Sequence, residues 1–307
     1  MSPVVPTAEP TPALLKVLDG LVDLHVHSGP SPFPRRFNHV EASYEAARVN
    51  ARAIFVKSHH HNTVMDLLAM ASQLKDAPTP VYGGVTLNSE VGGINPSAVA
   101  MSLQMGGRIV YGPTVCALQH IKHHSSDDGF PTSGMNLYEK EVSIYDASGE
   151  VSADTVLVTR LVAKAGAILT SGHLDGPSVI ALFKTAHDNG VEKLILHHPD
   201  FILNTTDAEI EEALSLGAYI EHELAMYHPD VQAPAWPIER LVSWINKYGP
   251  EKTIISSDLG QKNNPLPVDA YFYIIGLLLD NGISEKDIRQ MICKTPAYLA
   301  GLEDSPR

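Results

Sequence analysis

Cysteine is nearly absent: the 307 residues contain two, Cys116 and Cys293, far apart in the chain. That excludes a disulfide-stapled scaffold and suits a reducing compartment, so a cytoplasmic protein is expected. Positive charge is also in short supply, with 22 Lys and Arg against 35 Asp and Glu and a formal charge of -13. This is the wrong sign for a phosphate backbone or an anionic membrane surface, so neither nucleic acid nor membrane is an expected partner. No apolar run is long and charge-free enough to span a bilayer. Met1 to Thr11 carries Pro3, Pro6 and Pro10 but neither a basic start nor an apolar stretch, and residues 1–12 read as a loose tail, not as a signal peptide.

What is present is an alternation. Apolar runs suited to buried parallel strands occur at Leu21 to Val26, Ala51 to Lys57, Pro80 to Leu87, Gly107 to Gly112, Ala167 to Ser171, Lys193 to His197, Gly217 to Glu221 and Lys252 to Ser257. Amphipathic helical patterns lie between and after them: His39 to Val49, Thr63 to Leu74, Pro96 to Met105, Ala153 to Lys164, Pro177 to Asn189, Asp207 to Leu216, Pro237 to Tyr248 and Pro267 to Asn281. A last helix, Ser284 to Ala300, opens with a capping pattern of Ser284 before Asp287. Eight strand–helix units predict an α/β protein, a single-domain (β/α)8 TIM-type barrel over residues 13–307.

One connection is too long for that rhythm. Residues 114–152 form an insertion after the fourth strand and contain His120, His123 and His124, followed by Ser125 to Gly129. Within it Val142 to Tyr145 and Val151 flank Asp146-Ala147-Ser148-Gly149, which reads as a small hairpin. Long loops in compact domains tend to be lids, and this one is expected over the barrel mouth.

The chemistry sits at strand ends. His25 and His27 are two apart on the first strand and share a face, so both rings can meet one ion. Three more apolar strands end in ligand-type residues: His173, the pair His197 and His198, and Asp258. Adjacent strand residues face opposite ways, so only one of the pair is expected to ligate. His198, where the chain turns over the site before Pro199, is preferred. Ligands distant in sequence meet at the C-terminal ends of barrel strands. Imidazole and carboxylate suit a divalent metal, Zn²⁺ first, as one or two ions.

Taken together, His25-x-His27, His173, a histidine after strand six and Asp258 resemble the ligand set of the metal-dependent amidohydrolase superfamily, over about residues 20 to 300. The stretches Gly92 to Pro96, Gly112 to Thr114, Tyr219 to His222 and Asp258 to Gln261 are similar to a poorly characterised branch of it. The resemblance implies that Asp258 touches both metal and water, takes the water proton and passes it to the leaving group. It also implies a bridging carboxylate or carbamylated lysine on strand four, yet that strand ends Val110-Tyr111-Gly112-Pro113. Lys57, ending strand two, fills the gap by hypothesis: crowding by cations and apolar walls lowers its pKa, and the neutral amine can take up CO₂ to form an anionic bridge. A structural Lys57, paired with Asp258 or Glu221, or a Lys57 that binds a substrate carboxylate, is the alternative.

For the substrate, Arg35 and Arg36 lie in the first strand-to-helix loop, on the face that meets an anionic group. His59 and His61, in the tract His59-His60-His61, and His120 are expected to contact substrate. So are Tyr111, Glu221 and His222 at the ends of strands four and seven. Arg108, starting strand four, belongs to the far end, and His187 to the surface. The set describes a polar pocket for a small molecule, with homo-oligomerisation left open. The reading is a metal-dependent hydrolase of a small amide, lactam or lactone acting through metal-activated water. Its rivals are a non-oxidative decarboxylase, a phosphoester hydrolase, a Schiff-base lyase using Lys57 and a non-catalytic metal-binding barrel.

Overall fold

Short, wholly buried apolar segments build a parallel sheet because both of its faces are covered, one by barrel filling and one by helices. The computed structural model describes residues 10–124, 137, 140–199, 201–231 and 235–302. Its strands are β1 Val22–Val26, β2 Ala53–Val56, β3 Val81–Thr86, β4 Ile109–Tyr111, β5 Ile168–Thr170, β6 Leu194–His197, β7 Ala218–Glu223 and β8 Thr253–Ser256. They pair in chain order, each parallel to the next. The ring is drawn shut beyond β8, where His27 N donates to Leu259 O at 2.8 Å and Asp258 N donates to His25 O at 2.9 Å. The fold is a single (β/α)8 barrel.

Two layers of core hold it. Val22, Leu24, Phe55, Ile109, Ile168, Ile195 and Ile254 fill the barrel interior, and Ala297 and Leu299 plug its lower end. Between strands and helices lie Val26, Ile54, Val56, Ile255 and Ile275 on one side and Val85, Val110, Leu169, Leu194 and Ile220 on the other. Arg108 marks the lower end as expected, donating to Ala300 O at 3.1 Å with its guanidinium 3.8 Å above the Tyr82 ring.

Three elements differ from expectation or extend it. Pro12 already begins a helix, Pro12–Leu18, capped by Thr11 and burying Val17 and Leu18; residues 1–9 of the expected tail lie outside the described residues. The last helix is not continuous: Glu285–Arg289 passes through a π-helical segment, Gln290–Lys294, into Thr295–Leu299. Pro296 is the cause, since its missing N–H and bulky ring oppose the α-helical bond to the carbonyl of residue 292. In the insertion a helix, Leu118–His123, follows β4, and one antiparallel bridge joins Tyr145 to Val151. Ser125 to Gly129 lie outside the described residues. Among the described residues no helix is long and apolar enough to cross a membrane.

Candidate metal centre

Three backbone irregularities at the upper rim aim the polar side chains. In β1 the pairing to β2 runs from Asp23↔Ile54 to Val26↔Val56, three residues against two, so one residue is extra. This bulge shifts the alternation: Val22 and Leu24 fill the barrel, yet His25 and His27 also turn to its axis while Val26 packs outward. At the ends of β6 and β8, His198 and Asp258 adopt left-handed backbone angles, φ 23° and 52°. Side chains other than Gly, Asn or Asp rarely accept that region, so the chain holds His198 there against a local cost. Gly260 permits the rim to close, for a Cβ on it would lie 2.0 Å from His27 O.

The side chains converge. His27 Nε2 is 2.9 Å and His25 Nε2 3.3 Å from Asp258 Oδ1. Lys57 Nζ lies 3.0 Å from His25 Nε2. On the other side of the His25 ring, Nδ1 faces Glu221 Oε2 at 3.3 Å, and the same oxygen is 2.9 Å from His197 Nε2. Ser256 donates to Glu221 Oε1 at 2.6 Å. Two groups have donor atoms within 4.8 Å of one another, as one cation requires: His25, His27 and Asp258, and His25, His197 and Glu221.

Burial sets the protonation states. It pulls His27 down to about 3, helped by the Arg35 charge, and His197 to about 4 against the pull of Glu221. His59, His173 and His198 are likewise held well below the usual imidazole range by burial, and His120 falls to about 3. Burial opposes ionisation of Asp258 as well, but His25 and His27 outweigh it and keep the carboxyl far below its ordinary value. Glu221 is held low in the same manner by His197 and His25. Burial lowers Lys57 in spite of Asp258, Glu221 and Glu223. Neutral imidazoles beside carboxylates are the protonation states that a cation takes.

Above this cluster is a cavity of about 160 Å³. Of the residues expected from sequence, His27, Arg35, Lys57, His59, His120, His173, His198 and Asp258 line it. His120 reaches it from the insertion, its Nδ1 2.7 Å from His173 Nδ1. His59 is anchored by Thr114 Oγ1 at 2.8 Å and stacks on His27 at 5.0 Å. His25, Glu221 and Tyr111 lie beneath the cavity, fully buried, and Tyr111 Oη has no hydrogen-bond partner among the described residues.

Five expected substrate contacts do not line the cavity: Tyr111 and Glu221 are buried beneath it, and Arg36, His61 and His222 are directed elsewhere. Arg36 turns away to donate to Asn264 O. His61 is spent on Ser58 and Asp66, the latter on the helix Thr63–Ala69. His222 falls on the outward parity of β7 and packs edge-on against Trp244, ring centroids 5.1 Å apart. The expectation that only one of His197 and His198 faces the centre is also corrected. Both rings do, at 5.0 and 6.2 Å from the His25 ring, because the left-handed turn at His198 ends the strand alternation. Glu223 went unnoticed in the sequence, although it shares the parity of Glu221; its Oε1 stands 2.8 Å from His198 Nδ1. Phe33, also cavity-lining, carried no sequence signal, and Gln261 only that of lying in the resembling stretch Asp258 to Gln261.

Residues 20–221 match a family described as "Family of unknown function (DUF6282)". The chain belongs to this family. No curated protein matches the sequence. Among solved structures, an amidohydrolase from Pseudomonas aeruginosa superposes with a TM-score of 0.60 at 12% identity, over 94% of this chain and 98% of that one. Organophosphorus hydrolase from Deinococcus radiodurans gives 0.55 at 14% identity, over 98% and 100%. A dihydroorotase gives 0.56 at 12% identity, over 94% of this chain and 71% of its own. The barrel of this family member thus has the fold of amidohydrolase-superfamily enzymes.

Proposed function

We propose that this family member is a metal-dependent hydrolase of a small amide, lactam or lactone. The observation that carries the reading is the meeting of His25, His27 and Asp258 within one ion's reach at the floor of the rim cavity. The fit to a divalent cation, Zn²⁺ by donor type, is supported by the neutral imidazoles and by His198, whose Nδ1 faces Glu223 while its buried Nε2 has no hydrogen-bond partner among the described residues. His25, His27 and Asp258 would hold it, with His173, His198 and Lys57 placed to complete one or two sites. When bound, such a cation polarises a carbonyl and lets water ionise near neutral pH.

The chain supplies the rest. Asp258 Oδ1, anionic and facing the cavity, accepts a proton from water there and returns it to the departing nitrogen or oxygen. Glu221 accepts from His25 Nδ1 and from His197 Nε2, which fixes the tautomer of each and leaves His25 Nε2 turned toward Asp258. The desolvated Lys57 amine can add CO₂ with loss of a proton, giving a carbamate where strand four offers no carboxylate. His59, His120 and Arg35 line the space left for substrate. The helix Leu118–His123 carries His120 onto His173, so this described part of the insertion stands at the cavity. Cys116 and Cys293 are buried and form no disulfide, which is compatible with the cytoplasm.

The test is elemental analysis of protein purified without chelator, together with a panel of amides, lactams and lactones. One or two equivalents of a transition metal and chelator-sensitive turnover are expected. Metal-free protein that resists reconstitution, or a loaded protein inert on the whole panel, refutes the reading.

A further inference from the structure

Arg35 is the cavity residue whose donors are least used. Its side chain is held from both ends. The backbone of Arg35 bridges to Gln261 across the rim, and the guanidinium lies 5.3 Å from the centre of the Phe33 ring. Nε and Nη1 are buried and have no hydrogen-bond partner among the described residues. Nη2 has one contact, His27 Nδ1 at 3.3 Å. A buried guanidinium with empty donors is costly; the Asp258 carboxylate favours its charge but takes none of its hydrogen bonds.

The one contact it has is incompatible with the proposed metal site. A neutral imidazole carries a single ring proton. His27 can accept from Arg35 at Nδ1 only while that proton is on Nε2, facing Asp258 at 2.9 Å. A cation at Nε2 moves the proton to Nδ1, and an N–H then confronts the Nη2 donor. Nη1 and Nη2 together are thereby freed as a planar fork, in a cavity already lined by Lys57. In a protein of formal charge -13 the Arg35 guanidinium is then a cationic donor pair facing the substrate space.

We propose that Arg35 is an anion-recognition arm and that the substrate carries a carboxylate beside its scissile bond. A carboxylate matches the end-on guanidinium fork in shape and supplies the two acceptors that the fork lacks. The release of Nη2 rests on the metal reading above; the unused Nε and Nη1 do not.

The experiment is isothermal titration of the metal-loaded protein with matched pairs of N-acyl amino acids and N-acyl amino acid carboxamides, and of lactone carboxylic acids and their methyl esters. At least one acid should bind more than about tenfold tighter than its neutral partner. Arg35→Gln should abolish that preference with metal content unchanged. Arg35→Lys, which keeps the charge without the fork, should retain only part of it. Any preference due to a cation alone persists in Arg35→Gln, so the difference between the two proteins belongs to Arg35. Acids no tighter than their partners in every pair, or a preference intact in Arg35→Gln, overturn the proposal. Turnover of neutral partners without acid preference removes this inference and leaves the hydrolase. Acid binding without turnover of any pair does the reverse.

Discussion

Asp258 combines a left-handed backbone with a largely buried carboxylate that faces the cavity, and the two properties can be separated by mutation. Asparagine tolerates positive φ nearly as well as aspartate, so Asp258→Asn keeps the rim and removes the charge. We expect hydrolysis to fall by about 10²- to 10⁴-fold while metal content stays close to that of the parent, read by turnover and elemental analysis. Unchanged turnover rejects Asp258 as the proton carrier. Lys57 is 1% exposed and touches His25, so its loss should be felt by the ion and not only by substrate. Lys57→Ala should lower metal stoichiometry, and formate or acetate should restore part of it by occupying the place of a carbamate. Full occupancy in the variant removes the bridging role. At this scale the sequence was readable where strand parity holds: Glu221 faces inward and so does Glu223, while His222 between them faces helix Ile238–Tyr248. Parity fails at His198, because no residue type announces a histidine forced to positive φ.

At the scale of elements, the site depends on how β1 and β8 meet. The bulge in β1 turns His25 inward, and the β8 extension pairs with it through His27 N and Asp258 N. The His-x-His pair was visible in sequence, but the bulge was not, since it has neither Gly nor Pro to mark it. Gly260 is the hinge of this contact, with φ 131° and no room for a Cβ in front of His27 O. Gly260→Ala must push the β8 loop away from His27. It should cost about 2–3 kcal/mol of stability, and because the shift moves both His27 and Asp258 it should also weaken metal binding. Denaturant midpoints and a chelator competition measure the two effects. A loss of stability with metal affinity intact would show that the loop and the ion are uncoupled. The break in the last helix belongs here too: Pro296 was present in the sequence, yet the periodic pattern around it dominated the reading.

Over the whole molecule, the alternation of apolar strands and helices made the barrel legible, because most strands are buried on both faces and read as continuous runs. The insertion was legible as excess length, not as structure. The seam next to β1 was not legible at all. There Arg48 lies between two buried acids from different helices, Glu45 at 3.1 Å and Asp269 at 2.6 Å, and Glu45 also accepts from Val268 N at 3.0 Å. Burial pushes Glu45 up from 4.5 to about 8 even though Arg48 pulls it down. The folded protein therefore holds a proton that the unfolded chain releases between about pH 4.5 and 8, so this group's contribution to stability falls as pH rises through that window. Other groups overlap it. Asp23, raised to about 6 by burial, adds a decline of the same sign at lower pH. The imidazoles that burial keeps neutral act oppositely, adding stability as pH rises toward 6.5, and Lys57 with its lowered pKa does so at higher pH. Glu45→Gln isolates the term, because glutamine keeps the acceptor for Val268 and Arg48 but cannot ionise. The stability of the parent minus that of Glu45→Gln, from denaturant unfolding, should fall with pH by at most about 1.4 kcal/mol per unit and level off above about 8. A difference that is flat from pH 5 to 9 would mean that Glu45 is ionised in the fold, with Arg48 serving both acids as a full ion-pair triad.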